Sequence, residues 1–88
     1  MIHPASLVIL ILLVGSADAG PVCTTVPADT WLPLQAMRER IETDGYRIVV
    51  FKTTPGHCYE IYGRDKHGRR VEIYFDPVSG APVKANVR

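Results

Sequence analysis

Between Tyr46 and Gly80 the chain is cut into strand-length runs by turns of four or five residues, and connections that short leave few folds open. Tyr46–Thr53 is rich in β-branched and aromatic residues and ends at Thr54-Pro55-Gly56-His57, a turn signal. Cys58–Arg64 then leads to a second turn at Asp65-Lys66-His67-Gly68. The third run, Arg69–Asp76, alternates: Val71, Ile73 and Phe75 lie on one face, Arg70, Glu72 and Tyr74 on the other. Asp76-Pro77-Val78-Ser79-Gly80 turns the chain once more. A four-residue connection cannot carry a crossover, so these strands must run antiparallel.

One helix precedes them. Asp29 or Thr30 supplies an N-cap oxygen and Pro33 falls in the first turn, where a missing N–H is tolerated. Leu34, Met37 and Ile41 recur at helical spacing, with Arg38, Glu39, Arg40 and Glu42 facing away, and Gly45 suits the left-handed C′ position. The expected fold is therefore α+β: one N-terminal helix on a three-stranded antiparallel sheet in the order α-β-β-β, with Ala81–Lys84 as a short C-terminal extension. Tyr59, Ile61, Val71, Ile73 and Phe75 are expected to meet Leu34, Met37 and Ile41. The first strand is ambiguous, because Ile48 and Val50 lie on one face and Val49 and Phe51 on the other. Gly63 marks a place where the sheet bends or another segment comes close. Trp31, just before the helix, is expected to be a packing anchor between the arm and the helix–sheet core.

The first nineteen residues have a different character. Ala5–Val14 is apolar apart from Ser6, and at about ten residues it is half the roughly 20 that a membrane-spanning helix needs. Gly15-Ser16 and then Ala17-Asp18-Ala19 follow, with small residues where a signal peptidase requires them. Residues 1–19 are read as a signal peptide cleaved after Ala19, although Met1-Ile2-His3-Pro4 carries no Lys or Arg. This places the protein in the periplasm or outside the cell, with no stable membrane anchor after cleavage. What remains is an arm over residues 20–29, irregular because of Pro21 and Pro27, and one domain over residues 30–88.

Loss of Asp18 leaves ten Lys and Arg against eight Asp and Glu, and no basic run longer than Arg69-Arg70. That distribution gives no footing for nucleic acid. Cys23 and Cys58 are the only cysteines, and in an oxidising compartment an even pair reads as one structural disulfide. A catalytic thiol, a metal ligand and haem attachment are the alternatives. Neither C-x-x-C nor C-x-x-C-H is present, which removes support from redox and haem chemistry. Closing a loop of about 36 residues corresponds to roughly 3–4 kcal/mol in the chain-entropy picture. A chain this small needs such a staple.

Three motifs resemble one family. Cys58-Tyr59-Glu60-Ile61-Tyr62, then Asp65-Lys66-His67-Gly68-Arg69-Arg70-Val71-Glu72-Ile73-Tyr74-Phe75-Asp76, then Ser79-Gly80, look like the strands and aspartate-to-glycine turn of the PepSY domain. The resemblance spans roughly residues 30–83, and the arm with Cys23, Thr24 and Trp31 is similar to small exported members. It implies a noncatalytic module that binds or restrains peptidases. This chain carries one such unit and no attached peptidase, so an inhibitory role would act in trans.

The residues offer no catalytic set. His57 and Cys58 are adjacent and would point to opposite faces of a strand, and Ser79 has no base near it in sequence. The candidate metal ligands His57, Glu60, Asp65 and His67 fall on two turns at opposite ends of strand two, which at about 3.3 Å per residue puts the histidines some 30 Å apart. No cofactor or metal is expected. The outward set on strands two and three comprises Glu60, Tyr62, Arg64, Arg70, Glu72 and Tyr74. Cross-strand Arg–Glu and Tyr–Tyr pairs would stabilise the sheet by a few tenths of a kcal/mol each. The same residues form a candidate partner-binding face, since Tyr and Arg are enriched at interfaces. The leading expectation is an exported protein-binding module with a peptidase as partner class. The other is a small-ligand- or metal-responsive accessory protein of the envelope.

Overall fold

A computed structural model describes residues 20–88; the segment read as a signal peptide lies outside the described residues. A short 3-10 turn at Ala28–Thr30 leads into helix α1 (Leu34–Thr43), followed by β1 (Arg47–Thr53), β2 (Tyr59–Arg64), β3 (Arg70–Phe75) and β4 (Pro82–Val87). The strands form one antiparallel sheet in the order β1-β2-β3-β4. The α+β class is as expected, but a 3-10 turn precedes the helix and the sheet has four strands. The segment expected only as an extension is a full β4, pairing Val71 with Val87, Glu72 with Asn86 and Ile73 with Ala85.

One face of the sheet carries the core. Met37 and Ile41 of α1 are buried against Tyr59, Ile61, Val71, Ile73 and Phe75, the strand residues that alternation selects. Leu34 does not join them; it is 46% exposed, because the helix begins at Leu34 and its first turn lies beyond the buried cluster. Pro33, rather than Asp29 or Thr30, occupies the N-cap position, without a side-chain cap. Asp29 and Thr30 belong to the 3-10 turn, where the Thr30 hydroxyl donates to the Pro27 carbonyl at 2.7 Å. Two of the outward helix residues have partners beyond the helix: Arg38 lies 5.3 Å over the Phe51 ring and Arg40 donates to the Ser79 carbonyl at 3.0 Å. Gly45 has φ +101° and closes the helix as expected.

A bulge resolves the ambiguous first strand. Ile48 pairs with Gly63 and Val50 with Tyr62, so Val49 is the extra residue. The shift lets Ile48 and Phe51 both pack on the core while Val50 turns to the other face and Val49 stands 70% exposed. Gly63 makes this possible, since a methyl group there would run into the Arg47 carbonyl oxygen and lie 3.2 Å from the Ile48 Cα.

The arm is fastened at both ends. Cys23 and Cys58 are joined in a disulfide, and the Cys23 N–H donates to the Gly56 carbonyl at 2.9 Å. Trp31 sits edge-on to Tyr59 and donates its indole N–H to the Val26 carbonyl at 2.9 Å. The Tyr59 hydroxyl donates to the Leu32 carbonyl at 2.7 Å, and the Leu32 N–H to the Pro77 carbonyl at 2.8 Å. These bonds tie the arm and the residues after it to the β1–β2 turn and to the end of the core; the opposite sheet face carries no helix among the described residues.

Candidate functional site

The helix-free face contains all six residues of the outward set. Their pairing differs from the expected one: Glu60 faces Tyr74, Tyr62 faces Glu72, and Arg64 faces Arg70. The four-residue turn at 65–68 fixes this register, with Asp65 Oδ1 accepting from the backbone N–H groups of His67 and Arg69, each at 2.9 Å. Tyrosine therefore meets carboxylate instead of tyrosine, and two like charges stand opposite each other.

At the centre is Glu72. Its Oε2 accepts hydrogen bonds from the Tyr62 hydroxyl at 2.9 Å and the Tyr74 hydroxyl at 3.0 Å, and its Oε1 accepts from the Asn86 amide at 3.0 Å. Asn86 comes from β4 and was invisible as a site residue until that strand was in place. The neighbouring Glu60 carboxyl, with these three donors, pulls the Glu72 pKa down from 4.5 to about 2 against the opposing effect of burial. Glu60 moves the other way, pushed up by burial first and by the neighbouring Glu72 carboxyl second. The two carboxyls are shifted in opposite directions, Glu72 toward the charged form and Glu60 toward the neutral one. The same contacts raise the phenols: the bond to Glu72 pushes Tyr62 up to about 12, and burial raises Tyr74.

A depressed carboxyl pKa stabilises the fold above its unfolded value, so the contribution of Glu72 is present above about pH 4.5 and disappears as the pH falls toward about 2. The raised Glu60 has the opposite sign, favouring the fold in acid and losing that contribution as the pH rises. Glu72→Gln should flatten the acid side of a Tm-against-pH curve measured between pH 5 and 2. An acid limb as steep as in the unaltered protein would show that Glu72 does not govern it.

The six residues do not form one uniform surface. Glu60 and Tyr74 are buried, with the arm residue Gly20 against the Tyr74 ring and Lys52 Nζ 3.7 Å from Glu60 Oε1. At the other end the sheet is open. A groove of about 350 Å³ is lined by Val49, Tyr62, Arg64, Arg70, Glu72 and Arg88, among others. Its walls are the bulged valine and a tyrosine; its rim carries three guanidinium groups, and its one carboxylate already accepts three hydrogen bonds. Val49 and Arg88, with Gly63 and Val71 of the inner rows, line the groove without belonging to the outward set.

The other candidates are dispersed. His57 lies in the β1–β2 turn with φ +62°, its ring 5.8 Å from that of Trp31, while His67 and Asp65 lie in the β2–β3 turn at the far end of β2. Cys58 is bonded to Cys23 and offers no thiol beside His57. Among the described residues no group of three His, Cys, Asp or Glu is placed to hold a metal ion. None of their helices is long and apolar enough to cross a membrane.

Comparison with known proteins adds one finding. Neither curated proteins nor solved structures gave a match. A family model described as peptidase propeptide and YPEB domain matches residues 3–86, beyond the stretch that the strand motifs span. With nearly its whole length matched, and with the helix, meander and aspartate-to-glycine turn in place, the chain belongs to the PepSY_2 family of peptidase propeptide and YPEB domains.

Proposed function

We propose that this protein is an exported, noncatalytic module that binds a protein partner, a peptidase of the envelope or the secreted fraction, through the open end of its outer sheet face. Export rests on the apolar run and the Ala17-Asp18-Ala19 site. The peptidase class rests on the family, whose description is that of a peptidase propeptide domain. The observation that carries the binding reading is the groove with Arg64, Arg70 and Arg88 on its rim. Arg64 and Arg70 are directly opposed across β2 and β3, a pairing that costs stability and that neither residue relieves through a carboxylate among the described residues. An acidic segment of a partner would relieve it and cover Val49 and Tyr62 at the same time.

Immobilised protein should retain peptidase activity from an envelope or secreted fraction. Reversing the rim with Arg64→Glu and Arg70→Glu should reduce retention at least tenfold, while Glu39→Lys on the exposed helix face should leave it unchanged. Equal retention by both variants would remove the groove from the reading.

A further inference from the structure

We infer that the α-ammonium group which cleavage after Ala19 creates on Gly20 binds the Glu60–Glu72 carboxyl pair, making this corner of the sheet a receptor for the protein's own mature N-terminus. The inference rests on the signal-peptide reading for the cleavage position, and on the described residues for everything else.

Residue 20 is held close to the pair. The Cys23–Cys58 bridge and the Cys23-to-Gly56 hydrogen bond fix the arm three residues downstream. The Pro21 carbonyl occupies the space a side chain on Gly56 would need. Gly20 itself has φ +76°, and a methyl group on it would lie 2.7 Å from Tyr74 Cε2 and 3.1 Å from the Tyr74 hydroxyl. That hydroxyl is 3.0 Å from Glu72 Oε2. Only glycine fits there, and it places the backbone one side chain away from the carboxyls.

The pair has one cation, Lys52, which reaches Glu60 Oε1 only. Glu60 is 3% exposed, yet its buried Oε2 has no hydrogen-bond partner among the described residues. A cavity of about 130 Å³ lies beside it, lined by Thr54, Glu60, Tyr62 and Tyr74 among others. Facing Glu60 are Lys52 from β1, Tyr62 from β2, and Glu72 and Tyr74 from β3; Asn86 of β4 is engaged with Glu72. Lys52 is the one cation in that set, and its side chain is 53% exposed with Nζ 3.7 Å from Oε1. A peptide nitrogen at Gly20 offers one neutral N–H. A free terminus offers three donors and a charge, which is the chemistry an unpartnered, desolvated carboxyl oxygen calls for. Processing would then tighten the outer face in the same step that releases the protein.

An α-amine has an ordinary pKa of about 7.7–8.0. Pairing raises it, so the stabilisation is complete below that value and is lost as the pH rises through the raised one. The test compares residues 20–88, which contain every described element and both cysteines, in three forms: free Gly20, Nα-acetylated Gly20, and one added alanine before Gly20. At pH 7 the free form should melt about 5 °C above both others, the order of shift one charged contact produces in a domain this size. The difference should vanish in Glu60→Gln, and the α-amino pKa read by NMR should exceed 8. Equal melting points, a difference that survives Glu60→Gln, or an ordinary α-amino pKa would each overturn the inference. Intact mass of the exported protein tests the cleavage position separately, so failure of the signal reading and failure of the docking are told apart.

Discussion

Cys58→Ser should lower the melting temperature under oxidising conditions by roughly 20 °C, the largest loss expected from any single change outside the core. The bridge closes a loop between positions 35 apart in sequence. In the chain-entropy picture such a loop is worth about 3–4 kcal/mol, and each kcal/mol moves the midpoint of a domain this small by about 4–8 °C. Cys58 is fully buried and Cys23 anchors the arm that lies over Tyr74, so losing the bridge also loosens that end of the outer face. Cys23→Ser should give the same loss, and a thiol reductant should bring the unaltered protein down to the level of both variants. A melting point that the substitutions and the reductant leave unchanged would mean the bridge does not support the fold.

The second large effect belongs to Ile61→Ala. Ile61 is fully buried at the centre of the core cluster, on the strand that pairs with both β1 and β3 and faces Met37 and Ile41 of the helix. Removing a buried Ile side chain costs about 2–5 kcal/mol, against a total of roughly 3–10 kcal/mol for a chain of this length. Denaturant unfolding should show the midpoint falling by about half, or a variant already unfolded without denaturant. Leu34→Ala on the exposed first turn of the helix should cost about 0.5 kcal/mol or less. Equal losses at the two positions would mean the core is not centred on β2.

The contrast between these two leucine-like positions shows how far the sequence could be read. Helical spacing places Leu34, Met37 and Ile41 on one stripe, but spacing says nothing about where the sheet below the stripe ends, and Leu34 overhangs it. Alternation was reliable for β3, whose inner and outer residues are cleanly separated, and it failed for β1, where one bulged residue changes face assignments on either side of Val49. β4 reads only as an extension because Pro82, Lys84 and Asn86 carry little strand propensity and its inward Ala85 is small. The pairing of Cys23 with Cys58 followed from cysteine count and compartment, without any geometry.

The outer face was legible as a set of residues and not as a site. Alternation puts Glu60, Tyr62, Arg64, Arg70, Glu72 and Tyr74 on one side, which they share. It cannot show that the arm returns across Tyr74, because that route depends on a long-range covalent bond and on close approaches at Gly20 and Gly56. The face divides there into a covered carboxyl corner and an open basic groove, and a tyrosine–carboxylate network joins the two through Glu72. Substitutions at Glu72 should therefore be felt at both ends.

The central claim, that the open groove is the working surface, is tested most directly by amide hydrogen exchange on the protein alone and bound to a captured peptidase. Added protection should appear in β1 around Val49 and Val50, in Tyr62–Arg64, in Arg70–Glu72 and at Arg88, with α1 unchanged. Protection confined to Leu34–Thr43 and the arm, with the groove strands exchanging as in the free protein, would contradict it.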